Sequence, residues 1–183
     1  MRWARSIALV ALIAAAAEAL PEEGRVSLVP WKVVAPGDAV DAPLVLYWIP
    51  ATRDELRHSP LLTSDDLTLY SSRCVAMRVV RADDVERLAK LDVRERPAVV
   101  LVDGEERIIG VAESLLDVEE LVRQELDARA EAANLRLDRA RRYDEEGDED
   151  GALALYRSVW EERCMCPRQA KAAQRAMKKI AKK

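Results

Sequence analysis

The chain contains little glycine, few aromatic residues and only one histidine. Phe is absent, aromatic residues make up 4% of the 183 residues, and Gly occurs 6 times. A hydrophobic core must therefore be built from Val, Leu, Ile and Ala. Neither glycine-rich phosphate-binding pattern, G-x-x-x-x-G-K-[ST] or G-x-G-x-x-G, is present, so nucleotide binding has no support. Because His58 has no assignable Ser or Cys partner, no catalytic triad is proposed, and we expect this histidine on the surface near the end of a short helix.

The charges are nearly balanced, which excludes several classes of function. The chain has 29 basic and 33 acidic residues and a net charge of −4. This balance argues against general nucleic-acid binding and against disorder. The acidic run at 144–150 lacks the spacing of an EF-hand loop, and negative charge is favourable before a helix N-terminus. We therefore expect a structural role for this run, and neither a metal nor a cofactor.

The C-terminal tail is strongly basic. From Arg168 to Lys183 it has seven basic residues and no acidic residue. Contact with nucleic acid or anionic lipid is one interpretation. We favour a solvated helix face whose charge suits the C-terminal end of its own dipole, and we expect no nucleic-acid partner.

The N-terminal residues have the features of an export signal. Arg2 and Arg5 precede an apolar run at 7–17, and Ala17-Glu18-Ala19 is a small-x-small cleavage site. The run is shorter than the roughly 20 apolar residues of a membrane span, although an uncleaved anchor is the alternative. We predict a signal peptide over 1–19, periplasmic or secreted localisation, and no membrane span after cleavage. The short signal and the Ala- and Arg-rich composition favour a bacterial cell envelope.

Apolar runs and helix caps predict an α/β fold. A lead-in segment at 20–43 includes one strand around Pro30-Trp31, and further strands are predicted at 44–48, 75–80, 97–102 and 107–111. A helix is predicted over 53–62, where Pro60 would kink or end it. Further helices follow the caps at Ser64-Asp65-Asp66 and Asp83-Asp84, and a long helix begins at Val118 after a cap at Asp117. Alternating strands and helices imply parallel pairing, while Asp103-Gly104 predicts a hairpin that adds an antiparallel edge strand. The expected fold is a mixed sheet flanked by helices.

Three stretches in this order resemble the thioredoxin fold, over roughly residues 26–126. They are "PLVLYW", "VAMRVVRADDVERLAKLDV" and "RPAVVLVDGEERIIG". The first resembles the strand before the active-site turn, and the third resembles the strand that a proline opens. The resemblance implies a thioredoxin-like domain at 44–128 in which Pro97 is cis and faces the turn that normally carries two cysteines.

That turn has no sulfur in this chain. Residues 50–55 are Pro-Ala-Thr-Arg-Asp-Glu, and no cysteine lies between Leu44 and Arg73. Disulfide exchange requires a thiolate, so the usual oxidoreductase mechanism is excluded at this turn. The binding surface implied by the resemblance is retained. We expect it to bind a protein or peptide, as in a scaffold, adaptor or chaperone-like subunit, through these residues: Trp48, Thr52, Arg53 and Asp54, with Arg96 and Pro97 opposite.

The sequence pattern predicts helices in the last third of the chain. Apolar residues recur at helical spacing over 130–183, with interruptions at 144–151 and at Pro167. The stretch "ARRYDEEGDEDGALALYRSVW" resembles one tetratricopeptide unit. A single such unit needs packing partners, so we predict a helical hairpin that docks on the sheet domain or on a partner. A simple helical tail is the alternative.

Three cysteines leave the redox chemistry open. For Cys74 we favour a buried, inert thiol, because free cysteine behaves as a small apolar residue. Cys164 and Cys166 form a Cys-x-Cys pair, for which a strained disulfide, a soft-metal site or a disulfide to Cys74 are alternatives. Redox activity at this pair is the alternative enzymatic function.

Overall fold

The computed structural model describes residues 28–35, 38, 42–71 and 73–182, with only the backbone for Leu115 and Leu116. The predicted signal peptide at 1–19 lies outside these residues. The strands are β1 Lys32–Val33, β2 Leu44–Ile49, β3 Val75–Val79, β4 Ala98–Asp103 and β5 Ile108–Ala112. The α-helices are α1 Glu55–His58, α2 Asp65–Ser71, α3 Val85–Lys90, α4 Leu115–Glu145, α5 Glu149–Glu161 and α6 Pro167–Ile180, and a 3₁₀ helix covers Pro60–Leu62.

The strands form one mixed sheet in the order β1-β3-β2-β4-β5. β3 is parallel to both β1 and β2, whereas β4 is antiparallel to β2 and to β5. The predicted mixed sheet with flanking helices is therefore confirmed, and this arrangement is compatible with a thioredoxin-like fold. The parallel pairing expected from the alternation applies only to the first three strands of the chain, because β4 reverses direction.

β2 is the central strand, and all six of its residues are buried. Leu44, Leu46 and Trp48 belong to the core that also includes residues of α4, α5 and α6. Val45, Tyr47 and Ile49 belong to a second core on the other face. Because both faces of the strand are covered, its sequence is a continuous apolar run rather than an alternating one.

The loop between β4 and β5 is organised by Asp103. Its backbone N–H donates to the carbonyl of Arg107 at 3.0 Å, and its carboxylate accepts from the amides of Glu105 and Arg107 at 2.9 and 3.0 Å. The predicted hairpin is thus present, and the buried carboxylate of Asp103 closes it.

The segment before β2 is less regular than the sequence predicts, and the helix after β2 is interrupted next to Pro60. The first strand contains only Lys32–Val33. The helix predicted over 53–62 is divided at Ser59, whose extended backbone separates α1 from the 3₁₀ helix. Pro60 accounts for this break, since proline disfavours the helical conformation in the residue before it.

α4 links the sheet to the C-terminal helices without interruption. It has 31 residues, a length of about 46 Å at 1.5 Å per residue. The predicted boundary at 128–130 lies inside it. The helix begins three residues before the predicted Val118, because Ser114 is its cap: the Ser114 hydroxyl oxygen accepts from the amide of Asp117 at 3.3 Å.

The C-terminal region consists of α4, α5 and α6, with turns at the two predicted interruptions. Gly147 has a positive φ of 84° between α4 and α5, and Pro167 occupies the first turn of α6. Buried residues of these helices, among them Ala140 and Tyr156, belong to the same core as Leu46 of the sheet. The helices therefore pack as a continuation of the sheet domain. In the described part of the chain, no helix is both long and apolar enough to cross a membrane.

Candidate functional site

A cleft of about 410 Å³ opens beside the end of β2. It lies between the turn that leads into α1, the 3₁₀ helix, and the starts of β4 and α4. Its buried floor is formed by Trp48, Leu61, Ala98, Val99, Ala112 and Val118. Its more exposed rim is formed by Asp54, Glu55, His58, Ser59, Pro60, Pro97, Glu113 and Ser114. An apolar floor with a polar rim is the usual construction of a ligand pocket.

The pairing register of β2 and β4 places two residues of the cleft floor next to each other. Trp48 in β2 is opposite Val99 in β4, and both side chains belong to the core on the α4 face. Trp48 is only 3% exposed. The tryptophan is therefore mainly a core residue, and it presents only a small part of its surface to the cleft.

The turn after β2 is held by reciprocal local hydrogen bonds. The amide of Glu55 donates to the hydroxyl oxygen of Thr52 at 3.3 Å, and the Glu55 carboxylate accepts from the amide of Ala51 at 2.8 Å. This arrangement resembles a capping box, in which a threonine and a glutamate three residues later satisfy free helix amides. The Glu55 carboxylate is thereby fixed at the rim of the cleft.

His58 and Asp54 lie one helical turn apart on the rim. The Nδ1 atom of His58 is 3.1 Å from Oδ1 of Asp54, and both side chains are mostly exposed. His58 is at the end of α1, as predicted, but its position beside the cleft was not predicted.

The opposite wall begins with Arg96 and Pro97. The peptide bond between them is cis, which confirms the expectation from the resemblance. Pro97 is exposed and lines the cleft, but Arg96 does not. Arg96 instead lines a neighbouring depression with Asp92 and Arg94, and this depression shares Pro97, Ala98 and Glu113 with the cleft.

The six predicted platform residues therefore do not share one pocket. Trp48, Asp54 and Pro97 line the cleft. Thr52 and Arg53 line a separate depression next to Arg81–Asp83. Thr52 nevertheless supports the cleft, because its hydroxyl helps to hold Glu55.

The wall formed by Ala112–Ser114 and Val118 was missed at the sequence level. These residues come from the end of β5 and the start of α4, about 60 positions after the turn that they face. The resemblance identified the turn and the proline, and it supplied no marker for this wall.

The described residues contain the three cysteines, and none of them lines the cleft. A disulfide joins Cys74 to Cys164, with Cα atoms 5.8 Å apart, and Cys166 is a buried free thiol. The favoured interpretation of Cys74 as an inert thiol was therefore wrong. The Cys164–Cys166 pairing is absent as well, and the alternative of a disulfide from this pair to Cys74 is the one that the structure contains.

The disulfide and the cleft are at opposite ends of the sheet. Leu44, at the start of β2, pairs with Val75, which directly follows Cys74. The cleft is at the other end of β2, about 16 Å away at 3.3 Å per residue. Arg73, which precedes Cys74, adds a hydrogen bond between the same two regions: its Nη1 atom donates to the carbonyl of Met165 at 3.3 Å.

The free thiol is poorly suited to nucleophilic chemistry. Cys166 is 1% exposed. Burial raises the pKa of this thiol, and the nearby carboxylate of Glu162 raises it further. A high pKa reduces the population of the thiolate, which is the reactive form.

No group of three or more His, Cys, Asp or Glu side chains suited to a metal ion occurs within the described ranges. Comparison with protein-family models and with curated proteins gives no match. The functional argument therefore depends on the geometry and chemistry of the cleft.

Proposed function

We propose that this chain is an exported, non-redox thioredoxin-like protein that binds protein segments in the cleft beside Pro97. Its role would be that of a scaffold, adaptor or chaperone-like subunit in a bacterial cell envelope. The observation that carries the proposal is a cleft with an apolar floor, bounded by Asp54 and Glu55 at the end of the turn and by Pro97, that is lined by no cysteine or methionine.

The cysteine arrangement supports the non-redox part of the proposal. Thiol–disulfide exchange needs an accessible thiolate next to the bound substrate. The Cys74–Cys164 disulfide is at the far end of the sheet, and Cys166 is buried. Neither is placed to react with a segment bound beside Pro97.

The size and surface of the cleft support peptide binding. Its volume of about 410 Å³ is within the range of 300–1,000 Å³ typical of ligand pockets. An extended segment gains affinity from backbone hydrogen bonds and specificity from side-chain pockets. The buried floor offers such a pocket for one apolar side chain, and the rim offers polar groups for its neighbours.

The C-terminal helices support a scaffold role. In this proposal they form a tetratricopeptide-like hairpin with one additional helix, fixed to the sheet domain. The uninterrupted α4, the shared core and the disulfide to Cys164 all favour a fixed orientation. A fixed helical unit would present a second contact surface at a defined distance from the cleft.

The disulfide is also consistent with export. Disulfides form and persist in oxidising compartments such as the bacterial periplasm, and they are rare in the cytosol. A disulfide between β3 and the helical region therefore suits a periplasmic or secreted protein.

The test uses a library of immobilised extended peptides and the purified chain from residue 20 onwards. Peptides that bind are remade with a fluorophore and titrated by anisotropy. The variant Glu113→Trp places a bulky side chain on the rim, and Glu131→Trp makes the same change at an exposed position of α4. We expect Glu113→Trp to weaken binding at least tenfold and Glu131→Trp to leave it unchanged.

Two outcomes would contradict the proposal. If Lys171→Glu and Arg175→Glu in α6 abolish binding while Glu113→Trp has no effect, the helices are the binding element. If the chain reduces insulin with dithiothreitol above background, and a Cys164→Ser/Cys166→Ser variant does not, the protein is an oxidoreductase.

A further inference from the structure

We infer that the cleft selects a segment in which a lysine or arginine lies within two residues of an apolar side chain. This inference rests on the proposed function, and it adds the chemical class of the ligand. Charge is distributed unevenly among the cleft residues: three of them are carboxylates, and none is a lysine or an arginine.

The three carboxylates differ in how they are held. Glu55 is fixed by the amide of Ala51, and Asp54 is in contact with His58. Glu113 is exposed, and among the described residues it has no hydrogen bond or ion pair. A ligand cation can therefore pair with Glu113 without displacing an existing partner.

The basic residues of the same segments are outside the cleft. Arg53 lines a separate depression, and Arg57 is exposed on α1. Arg94 and Arg96 line the neighbouring depression, which shares Glu113 with the cleft, but in the described part of the chain neither arginine forms an ion pair with Glu113. The two arginines partly offset the charge of Glu113, whereas exposed charges farther away than about 8 Å are screened at physiological salt. The selection must therefore act at short range, on a cation that enters the rim.

The apolar floor determines the other half of the ligand. Leu61, Val99 and Val118 are buried residues on three different elements that meet at the cleft. An apolar side chain that covers them removes apolar surface from water, at about 25 cal/mol per Å². In an extended segment, side chains two residues apart point to the same side and are about 6.6 Å apart. One can therefore occupy the floor while the other reaches the rim.

The experiment uses three synthetic nine-residue peptides with a central leucine. They are identical except at the two positions that flank the leucine at a distance of two residues, which hold lysine, glutamine or glutamate. Each is labelled and titrated by fluorescence anisotropy with the wild-type chain. We expect the lysine peptide to bind at least tenfold more tightly than the glutamate peptide, with the glutamine peptide between them.

Charge reversal at the rim provides the specific control. Glu113→Lys should weaken binding of the lysine peptide at least tenfold and strengthen binding of the glutamate peptide. Glu131→Lys makes the same change on the exposed face of α4 and should leave the preference as in the wild type. Circular dichroism melts of both variants verify that they are folded.

The outcomes separate this inference from the proposed function. Equal affinity for all three peptides, with Glu113→Trp still blocking each of them, overturns the charge preference and leaves peptide binding intact. No saturable binding of any peptide overturns both. If sedimentation shows that the wild-type chain is a dimer and that the Glu113→Lys variant is a monomer, the occupant of the cleft is a second copy of the chain. That result also overturns the inference.

Discussion

Cys74 and Cys164 are joined across 90 positions of sequence, with Cα atoms 5.8 Å apart. One cysteine immediately precedes β3, and the other follows α5. The disulfide therefore links the sheet to the turn between α5 and α6, and it does so at the opposite end of the sheet from the cleft. In this position its contribution is to stability and to the placement of the helices.

Removing the disulfide should destabilise the chain substantially. A crosslink that closes a long loop restricts the unfolded chain, and native disulfides typically contribute about 2–4 kcal/mol. We expect the double variant Cys74→Ser/Cys164→Ser to lose a free energy of unfolding in that range, measured by urea unfolding. Reductant should lower the stability of the wild type by a similar amount and should not affect the variant. Equal stability of variant and wild type would contradict a structural role for the bond.

Thiol counting should give different results in the folded and unfolded chain. Cys166 is buried, and burial raises the pKa of its thiol. We expect Ellman's reagent to detect no fast-reacting thiol in the native, unreduced protein, one after unfolding, and three after unfolding with prior reduction. More than one thiol in the unfolded, unreduced protein would contradict the pairing.

The Cys166 thiol should make the free energy of unfolding depend on pH in the alkaline range. Its folded pKa is above that of the unfolded thiol, which is about 8.5. The stability that this difference provides is present below the unfolded pKa and is lost as the pH rises through the folded pKa. Cys166→Ala should remove this alkaline dependence, which urea unfolding at a series of pH values measures. A profile that keeps the same alkaline slope in the variant would assign the dependence to another group.

Gly147 and Gly104 provide a matched pair of glycine substitutions. Gly147 has a φ of 84°, a conformation that costs other residues about 1 kcal/mol or more. Gly104 has no positive φ, and a Cβ atom there would be 3.6 Å from the carbonyl oxygen of Ala42, an ordinary contact. Gly147→Ala should therefore lower the free energy of unfolding by about 1 kcal/mol, and Gly104→Ala should change it by less. Equal effects in urea unfolding would show that backbone conformation is not the cause.

Local sequence signals predicted most of the strands and helices. The apolar runs identified β2, β3, β4 and β5, and Ser64-Asp65-Asp66 and Asp83-Asp84 were recognised as helix caps. Ser64 and Asp84 are the residues of these stretches that cap α2 and α3. These features depend on neighbouring residues, so they can be read from a short window. The cis bond at Pro97 depends on tertiary context, and only the resemblance predicted it.

Features that depend on distant residues were missed or left open. The far wall of the cleft, from the end of β5 and the start of α4, was missed, and the disulfide to Cys74 across 90 positions was only one of several alternatives. The spacing of cysteines does not determine their connectivity. The start of α4 was missed for a different reason: Ser114 and Asp117 are both good caps, and which of them acts depends on how the chain leaves β5.

Asp103 should make a pH-dependent contribution to stability. Burial acts to raise the pKa of its carboxyl group, but hydrogen bonds from the backbone and guanidinium of Arg107, and from the amide of Glu105, outweigh that effect and hold the pKa below its usual range. The folded pKa is therefore below the unfolded value of about 3.9. The resulting stability is present above the unfolded pKa and is lost as the pH falls through the folded pKa.

Asp103→Ala tests this contribution, with Glu105→Ala as its control in the same loop. At pH 7 the first variant should lose roughly 1–3 kcal/mol, since it leaves the amides of Glu105 and Arg107 without their acceptor. Glu105→Ala removes only an exposed ion pair with Arg107, which is 3.3 Å long, and should change stability by less than about 1 kcal/mol. In urea unfolding, the difference between Asp103→Ala and the wild type should decrease as the pH is lowered from 5 towards 2. A difference that stays constant over this range would mean that the carboxylate closes the loop by its shape and not by its charge.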